Sequence, residues 1–367
     1  MKVTVHRLPM ANPADVSALN GLIERGEIDP RHIVATIGKT EGNGGANDFT
    51  RALATLAVSN AIARATGESP DAVGERVALV WSGGCEGVLS PHVTVFCRDD
   101  AVEAGGQGGG LAVSVRRTRA FRPEEIGTLA ECREVATATR AALEDLAIGD
   151  PGDVHYVQVK GPLLTPAGIK DAAARNARLV TTDPNGSKAY ARGATALGVA
   201  MALGEVAEAD VTDEAITHDQ RLFSRVASTS AGGELVACEI VLFANSPRAV
   251  AGLRIGHATL RDAVDVEGVL ECLRSAGLGG TGLPTAEERS RIAAVFAKAT
   301  VGPSGEVRGR RTTMLSDADI NWERHARAAL GAVIASVTGD PAIFVSGGTE
   351  HQGAPGEAPI AAIVRQE

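Results

Sequence analysis

Three short segments of this chain share one pattern: a serine, a small residue, a glycine, any residue and a glutamate. They are Ser82-Gly83-Gly84-Cys85-Glu86, Ser230-Ala231-Gly232-Gly233-Glu234 and Ser346-Gly347-Gly348-Thr349-Glu350. Upstream of each, an apolar stretch delivers a lysine: Lys39, Lys160 and Lys298. Between lysine and serine lies an Ala-rich segment with an arginine in its opening turns, Arg51, Arg192 and Arg324. One Ser-Gly-Gly alone reads as a structural turn, and one lysine after a strand as a solvated end. Three sets in the same order call for more, because folding rarely needs lysine and arginine at element ends. A hydroxyl is a weak nucleophile until a base takes its proton. A lysine crowded by other cations and partly desolvated loses its own proton more easily and can be that base. The small residue after each serine leaves a backbone N–H free for an oxyanion. Arginine forks suit a small, flat, electron-rich or anionic molecule. Together these groups allow acyl transfer from a cyclic amide or imide.

The elements that must position these residues also recur. Each set is preceded by an alternating strand (3–7, 111–117 and 252–257) and an amphipathic helix. The helix starts are read at Asn12-Pro13, at Pro123-Glu124-Glu125 and near Asp262. A second apolar strand (33–37, 154–159, 292–297) carries the lysine, the Ala-rich helix the arginine, and a β-rich run the serine. A last strand (92–98, 235–243, 360–364) closes each unit. The pattern predicts an α/β fold of three similar β-α-β-α-β-β units, 1–104, 111–248 and 252–367. The glycine-dense stretch Gly105 to Gly110 reads as a flexible linker, and a second break is read near Asn245-Ser246-Pro247. Packed around a pseudo-threefold axis, the units would bring strand ends and helix N-termini to one central active site. Lys160 directly ends an apolar strand and is followed by Gly161-Pro162, which predicts the strongest desolvation and the lowest pKa of the three lysines. Its partner Ser230 is followed by Ala231 rather than glycine, and that Cβ restricts the backbone.

Composition removes other classes. With 367 residues the chain is long enough for two or three units. A net charge of −9 and only 3% aromatic residues make it a poor partner for nucleic acid. No apolar stretch is long enough to span a membrane, and the alternating start from Met1 to His6 has no signal-peptide character, so a cytoplasmic location is expected. Five cysteines without a C-x-x-C pair fit reduced, buried thiols. Gly38-Lys39-Thr40 ends like a phosphate-binding loop, but Ile33 stands where that loop needs glycine. His257, His325 and His351 are candidate general bases without a visible partner.

Longer motifs surround these residues: Gly38-Lys39-Thr40-Glu41-Gly42-Asn43-Gly44, Glu86-Gly87-Val88-Leu89-Ser90-Pro91-His92, Lys160-Gly161-Pro162-Leu163-Leu164-Thr165-Pro166, Met314-Leu315-Ser316-Asp317 and Glu350-His351-Gln352-Gly353. With the serine turns, they resemble the cyanuric acid hydrolases and barbiturases, ring-opening cyclic amide hydrolases, over the whole chain. The resemblance implies three α/β units about a pseudo-threefold axis and a serine hydrolase, with Ser230 as nucleophile and Lys160 as its base. It further implies that Arg51, Arg192 and Arg324, with Ser82, Gly83, Ala231, Ser346 and Gly347, hold the ring, while Lys39 and Lys298 bind and polarise it. For cyanuric acid the product would be carboxybiuret, which loses carbon dioxide to give biuret. Asn321, one helical turn before Arg324, is the candidate that separates cyanuric from barbituric acid. A cytoplasmic homotetramer is implied as well. So is a structural Mg²⁺ or Ca²⁺ near Thr349, Gln352, Gly353 and Ala354. Thr300 departs from the family's glutamate ligand, which weakens that metal expectation because a hard cation wants carboxylate charge; the chemistry itself requires no metal. Two competing readings are a barbiturase and a non-catalytic binding module for small planar metabolites.

Overall fold

The computed structural model describes residues 1–104 and 108–367. The first unit contains β1 (Lys2–Pro9), α1 (Ser17–Glu24), β2 (Ile33–Thr40), α2 (Phe49–Thr66), α3 (Pro70–Arg76), β3 (Ala78–Gly83) and β4 (His92–Asp99). The second contains β5 (Gly108–Arg117), α4 (Leu129–Leu146), β6 (Val154–Pro162), α5 (Pro166–Ala174), α6 (Ser187–Leu203), β7 (Ala227–Gly232) and β8 (Glu239–Val250). The third contains β9 (Leu253–Leu260), α7 (Val266–Ser275), α8 (Ala286–Ser290) and β10 (Ile292–Ala299), then a small hairpin of β11 (Glu306–Val307) and β12 (Arg310–Arg311). It closes with α9 (Trp322–Thr338), β13 (Phe344–Gly347) and β14 (Ala358–Arg365).

Each unit folds its strands into one four-stranded sheet with the same order: β1-β4-β2-β3, β5-β8-β6-β7 and β9-β14-β10-β13. The lysine strand and the serine strand are parallel neighbours in all three. A parallel pair needs a crossover, and the long Ala-rich helix supplies it. The register sets Lys39 opposite Ser82, Lys160 opposite Ser230 and Lys298 opposite Ser346. Residues as many as 70 positions apart are thereby fixed side by side by main-chain pairing.

Several boundaries differ from the sequence reading. Asn12-Pro13 forms a turn, because the Asn12 side chain accepts from the Ala14 amide, and α1 starts only at Ser17. Pro123–Glu125 is a single 3₁₀ turn, and α4 begins after the Thr128 cap. Asp265, not Asp262, caps α7. Of the glycine stretch read as a linker, Gly105, Gly106 and Gln107 lie outside the described residues, while Gly108 to Gly110 open β5. Strand β8 runs straight through Asn245-Ser246-Pro247, so the second seam falls instead at the turn Ala251-Gly252, where Gly252 takes φ 124°. All five cysteines are free, and among the described residues no helix is long and apolar enough to cross a membrane.

One face of each sheet packs on its own helices and forms a separate core. The other faces meet at the axis in a shared core drawn from all three units. Phe96, Phe243 and Phe296 form its centre, with ring centroids 4.9 to 6.2 Å apart, and Tyr156 stacks on Phe296 at 5.0 Å. The aromatics do not repeat by position. Phe96 lies across the ladder from Ala35, Phe243 from Tyr156 and Phe296 from Ala361. Two of the three rings thus face an alanine, whereas Phe243 faces the Tyr156 ring, and this unequal set of side chains fills the axis. Truncating Phe243 to Ala should cost roughly 3–5 kcal/mol and lower the denaturation midpoint clearly. An unchanged midpoint would show that the three sheets do not depend on this shared core.

Candidate active site

The lysine of each unit is the penultimate or near-penultimate residue of its strand and is fully buried. Lys39 Nζ donates to Ser82 Oγ at 3.2 Å and to Gly83 O at 3.3 Å. Lys298 Nζ donates to Ser346 Oγ at 2.9 Å, to Gly347 O at 3.0 Å and, across the unit boundary, to Thr229 O at 2.7 Å. Lys160 behaves differently. Its Nζ reaches Trp81 O of the first unit at 3.2 Å and lies 3.3 Å from Glu234 Oε1. Ser230 Oγ is shut off from solvent and has no hydrogen-bond partner among the described residues. Ser82, Ser230 and Ser346 line one central pocket with Gly83, Ala231, Gly347, Lys160, Arg51, Arg192 and Arg327.

The third arginine of the pocket is thus Arg327, and the assignment of Arg324 is corrected. Arg324 is exposed and only touches Asn43 O, at 3.5 Å. The arginines are recognised by their partners. Arg192 grips Glu350 through Nε and Nη2, both at 2.7 Å. Arg327 grips Glu86 in the same two-pronged way, with Nε at 2.7 Å. Arg51 Nε donates to Glu234 Oε1 at 3.0 Å. Each guanidinium is met by the glutamate of the next unit's serine turn, so the final residue of the repeated motif closes a ring of ion pairs between units. The motif's second glycine makes room for that ring. A Cβ on Gly84 or Gly232 would lie 2.5 or 2.3 Å from the turn's own glutamate, and one on Gly348 2.4 Å from Arg192. Asn321 is also corrected as a pocket residue: it is exposed, and its side chain caps α9 by accepting from Glu323 N at 2.9 Å.

Burial depresses all three lysine pKa values, but not in the expected order. Burial and Arg327 bring Lys39 to about 7. Burial and Arg192 push Lys298 well below the usual lysine range. Lys160 is held highest, at about 8, because Glu234 offsets part of the desolvation. The apolar strand does bury Lys160, yet the carboxylate beside it reverses the ranking. Burial opposes ionisation of Glu234, but Lys160 and Arg51 outweigh it and hold the carboxyl at about 2.

Besides Arg327 and Gly44, two lining residues escaped the sequence reading, Lys188 and Glu323. They sit four residues before Arg192 and Arg327, at the position occupied by Asn47 before Arg51. Glu323 contacts Arg192 Nη1 at 3.3 Å and Lys188 Nζ at 3.5 Å, and those cations with Arg327 hold its carboxyl at about 2 against the effect of burial. The i−4 spacing is the available signal, and it repeats only when Arg327 rather than Arg324 is taken as the third arginine.

The other candidates lie elsewhere. His351 accepts from Thr217 N at 2.7 Å and donates to Leu222 O at 2.6 Å, His325 pairs with Asp317 at 3.0 Å, and His257 meets His155 at 2.8 Å. In the loop read as a metal site, Gln352 Oε1 accepts from Thr229 N and Thr349 O from Gln352 N. Its carboxylates are also engaged, Glu350 by Arg192 and Glu357 by Ala354 N. Thr300 adds no charge. The donor set of Thr349, Gln352, Gly353 and Ala354 does not fit a hard cation in this arrangement.

The sequence pattern described as "Amidohydrolase ring-opening protein" matches residues 4–365. A cyclic amide hydrolase of Azorhizobium caulinodans is 63% identical over the full length of both chains. A cyanuric acid amidohydrolase of Enterobacter cloacae is 49% identical, again over both full lengths. A solved structure described as "Cyanuric acid hydrolase: evolutionary innovation by structural concatenation" superposes with a TM-score of 0.95 at 46% identity, covering 100% of this chain and 99% of the other. With the threefold α/β architecture and a lysine set beside each serine already in view, these matches settle the family: the chain belongs to the ring-opening amidohydrolases that act on cyclic amides.

Proposed function

We propose that this protein hydrolyses cyanuric acid, with Ser230 as nucleophile and Lys160 as its base. The observation that carries the reading is the free Ser230 Oγ, facing the pocket in register with Lys160 while the other two serines are bonded to their lysines. The substrate ring alternates carbonyl and N–H three times, as the pocket alternates arginine and serine turns. Barbituric acid replaces one N–H by carbon and so breaks that match.

Neutral Lys160 Nζ takes the Ser230 proton as Oγ attacks a ring carbonyl. The new oxyanion is stabilised by backbone N–H groups of the turn and the arginines. Collapse breaks the ring C–N bond, and the leaving nitrogen takes the proton from the Lys160 ammonium. Water then attacks the acyl-enzyme, Lys160 again accepting a proton and returning it to Ser230, to release carboxybiuret, which loses carbon dioxide to give biuret. Lys39 with Ser82 and Lys298 with Ser346 bind and polarise the other carbonyls. The family resemblance supports a cytoplasmic homotetramer, for which the exposed stripe Phe49, Leu53 and Leu56 on α2 offers apolar contact surface.

Steady-state comparison should favour cyanuric over barbituric acid by about tenfold or more in kcat/KM, roughly 1.4 kcal/mol. The reverse preference would make the protein a barbiturase, and turnover of neither would leave only the binding module. Changing Arg51, Arg192 or Arg327 to Lys should each lower kcat/KM by about tenfold or more, since an ammonium cannot replace a fork. Arg324→Lys should stay near wild type, and a large loss there would restore it to the site. Ser230→Ala and Lys160→Ala should each abolish turnover, with little further loss in the double variant, because the two act as a unit. An acyl label recovered on Ser82 or Ser346 would overturn the assignment.

A further inference from the structure

Threefold repetition presents three lysine–serine pairs to one substrate, and something in the chain must set one pair apart. The three Arg–Glu contacts show where the repetition fails. Arg192 and Arg327 each hold their glutamate with two prongs. Arg51 holds Glu234 through Nε alone, while its two terminal nitrogens turn to Gly45 O, both at 3.2 Å, and Nη1 lies 3.4 Å from Asp48 Oδ2. Asp48 stands three residues before Arg51, where the other units have Ala189 and Arg324. Only the first unit has a carboxylate at that position, one turn before its own arginine. Arg192 also meets a second carboxylate, Glu323 at 3.3 Å, but from another unit and through Nη1, which leaves its two prongs on Glu350 in place. Glu234 Oε1, which accepts that single Arg51 prong, also lies 3.3 Å from Lys160 Nζ, so the carboxylate is shared between the two cations. Neither of the other two lysines has a carboxylate oxygen within 4 Å among the described residues.

We infer that Glu234 is a positioning residue which breaks the threefold symmetry, pairing with Lys160 instead of closing on its arginine and so selecting that lysine as the base. The inference rests on the reading of Ser230 and Lys160 as the working pair. Lys39 and Lys298 spend protons on their own serines, which anchors both partners. Lys160 is instead held by Glu234 and Trp81 O, so Ser230 stays free to attack. The groups facing Lys160 are Glu234 from the β7–β8 turn, Arg51 from α2, Asp48 at the cap of α2, and Glu239 across the ladder in β8. Glu239 is bound by Arg117 and by Leu79 N. Glu234 alone among these carboxylates touches the amine. A neighbouring carboxylate stabilises the ammonium and makes the amine the stronger base, in line with Lys160 at about 8 and Lys39 at about 7.

The test is the pH profile of kcat/KM for cyanuric acid. A base must be neutral to act, so activity rises with pH as Lys160 loses its proton. Glu234→Gln removes the carboxylate, the ammonium becomes less stable, and the rising limb should move to lower pH by about one unit. The weaker base should also lower the plateau kcat by about tenfold. Glu86→Gln and Glu350→Gln remove the equivalent carboxylates and should leave the limb in place. Asp48→Asn keeps the helix cap but frees the Arg51 fork to close on Glu234, and should move the limb in the same direction. It serves as the second probe where Glu234→Gln does not fold. A limb unmoved in both variants, or moved equally in all four, would overturn the role of Glu234. Acyl labelling of the wild-type enzyme keeps the two questions apart: a label on Ser230 with an unmoved limb sinks this inference alone, while a label on Ser82 or Ser346 sinks the reading beneath it.

Discussion

The rest of this structure answers to one electrostatic constraint: three lysines and three arginines are buried around one central pocket. Burying a charge without a partner is costly, and breaking such a pair leaves the survivor exposed to the full penalty. The solution here is reciprocal. Each arginine comes from the start of one unit's long helix and each glutamate from the serine turn of another, so Arg51–Glu234, Arg192–Glu350 and Arg327–Glu86 close a ring. Each guanidinium takes a carboxylate from a second unit, so the ring closes only when all three units assemble. Site formation and unit assembly are therefore one event.

The shared core below the pocket makes that assembly rigid. Phe96, Phe243, Phe296 and Tyr156 fill the axis with rings within about van der Waals reach of one another. Strands rising from this core carry the lysines, so the amines inherit its fixed spacing. Close approach along the way depends on glycine where a side chain would collide. A Cβ on Gly38, one residue before Lys39, would lie 2.2 Å from the Trp81 ring. Trp81 in turn offers the carbonyl that receives Lys160.

Symmetry delivers the charges, but departures from it differentiate them. Lys188 and Glu323 occupy equivalent helix positions with opposite charge and meet across the pocket at 3.5 Å. Ala231 replaces the glycine found at positions 83 and 347, and Asp48 stands where the other helices have Ala189 and Arg324. Asp48 stands beside Arg51 in the first unit, while Lys188 and Glu323 join the second unit to the third. A repeat duplicated for folding has no need of them, whereas a reaction that forms one bond at a time does.

The sequence alone determined the α/β class and which lysine stands in register with which serine, because strand alternation, helix caps and the serine turns are local patterns. The turn glutamates were visible as a pattern, but their partners were not, since the ion pairs join residues 158 to 241 positions apart. Arg327 was mistaken for Arg324 because both lie near the start of one helix, and only packing tells which side faces the axis. The order of the lysine pKa values failed for the same reason. Burial can be read from an apolar strand, but the carboxylate that offsets it arrives from another element. Local spacing thus decided which residues gather at the centre, while the tertiary structure decided which charge stands beside which, and Coulomb interactions at 3 to 4 Å depend on that alone.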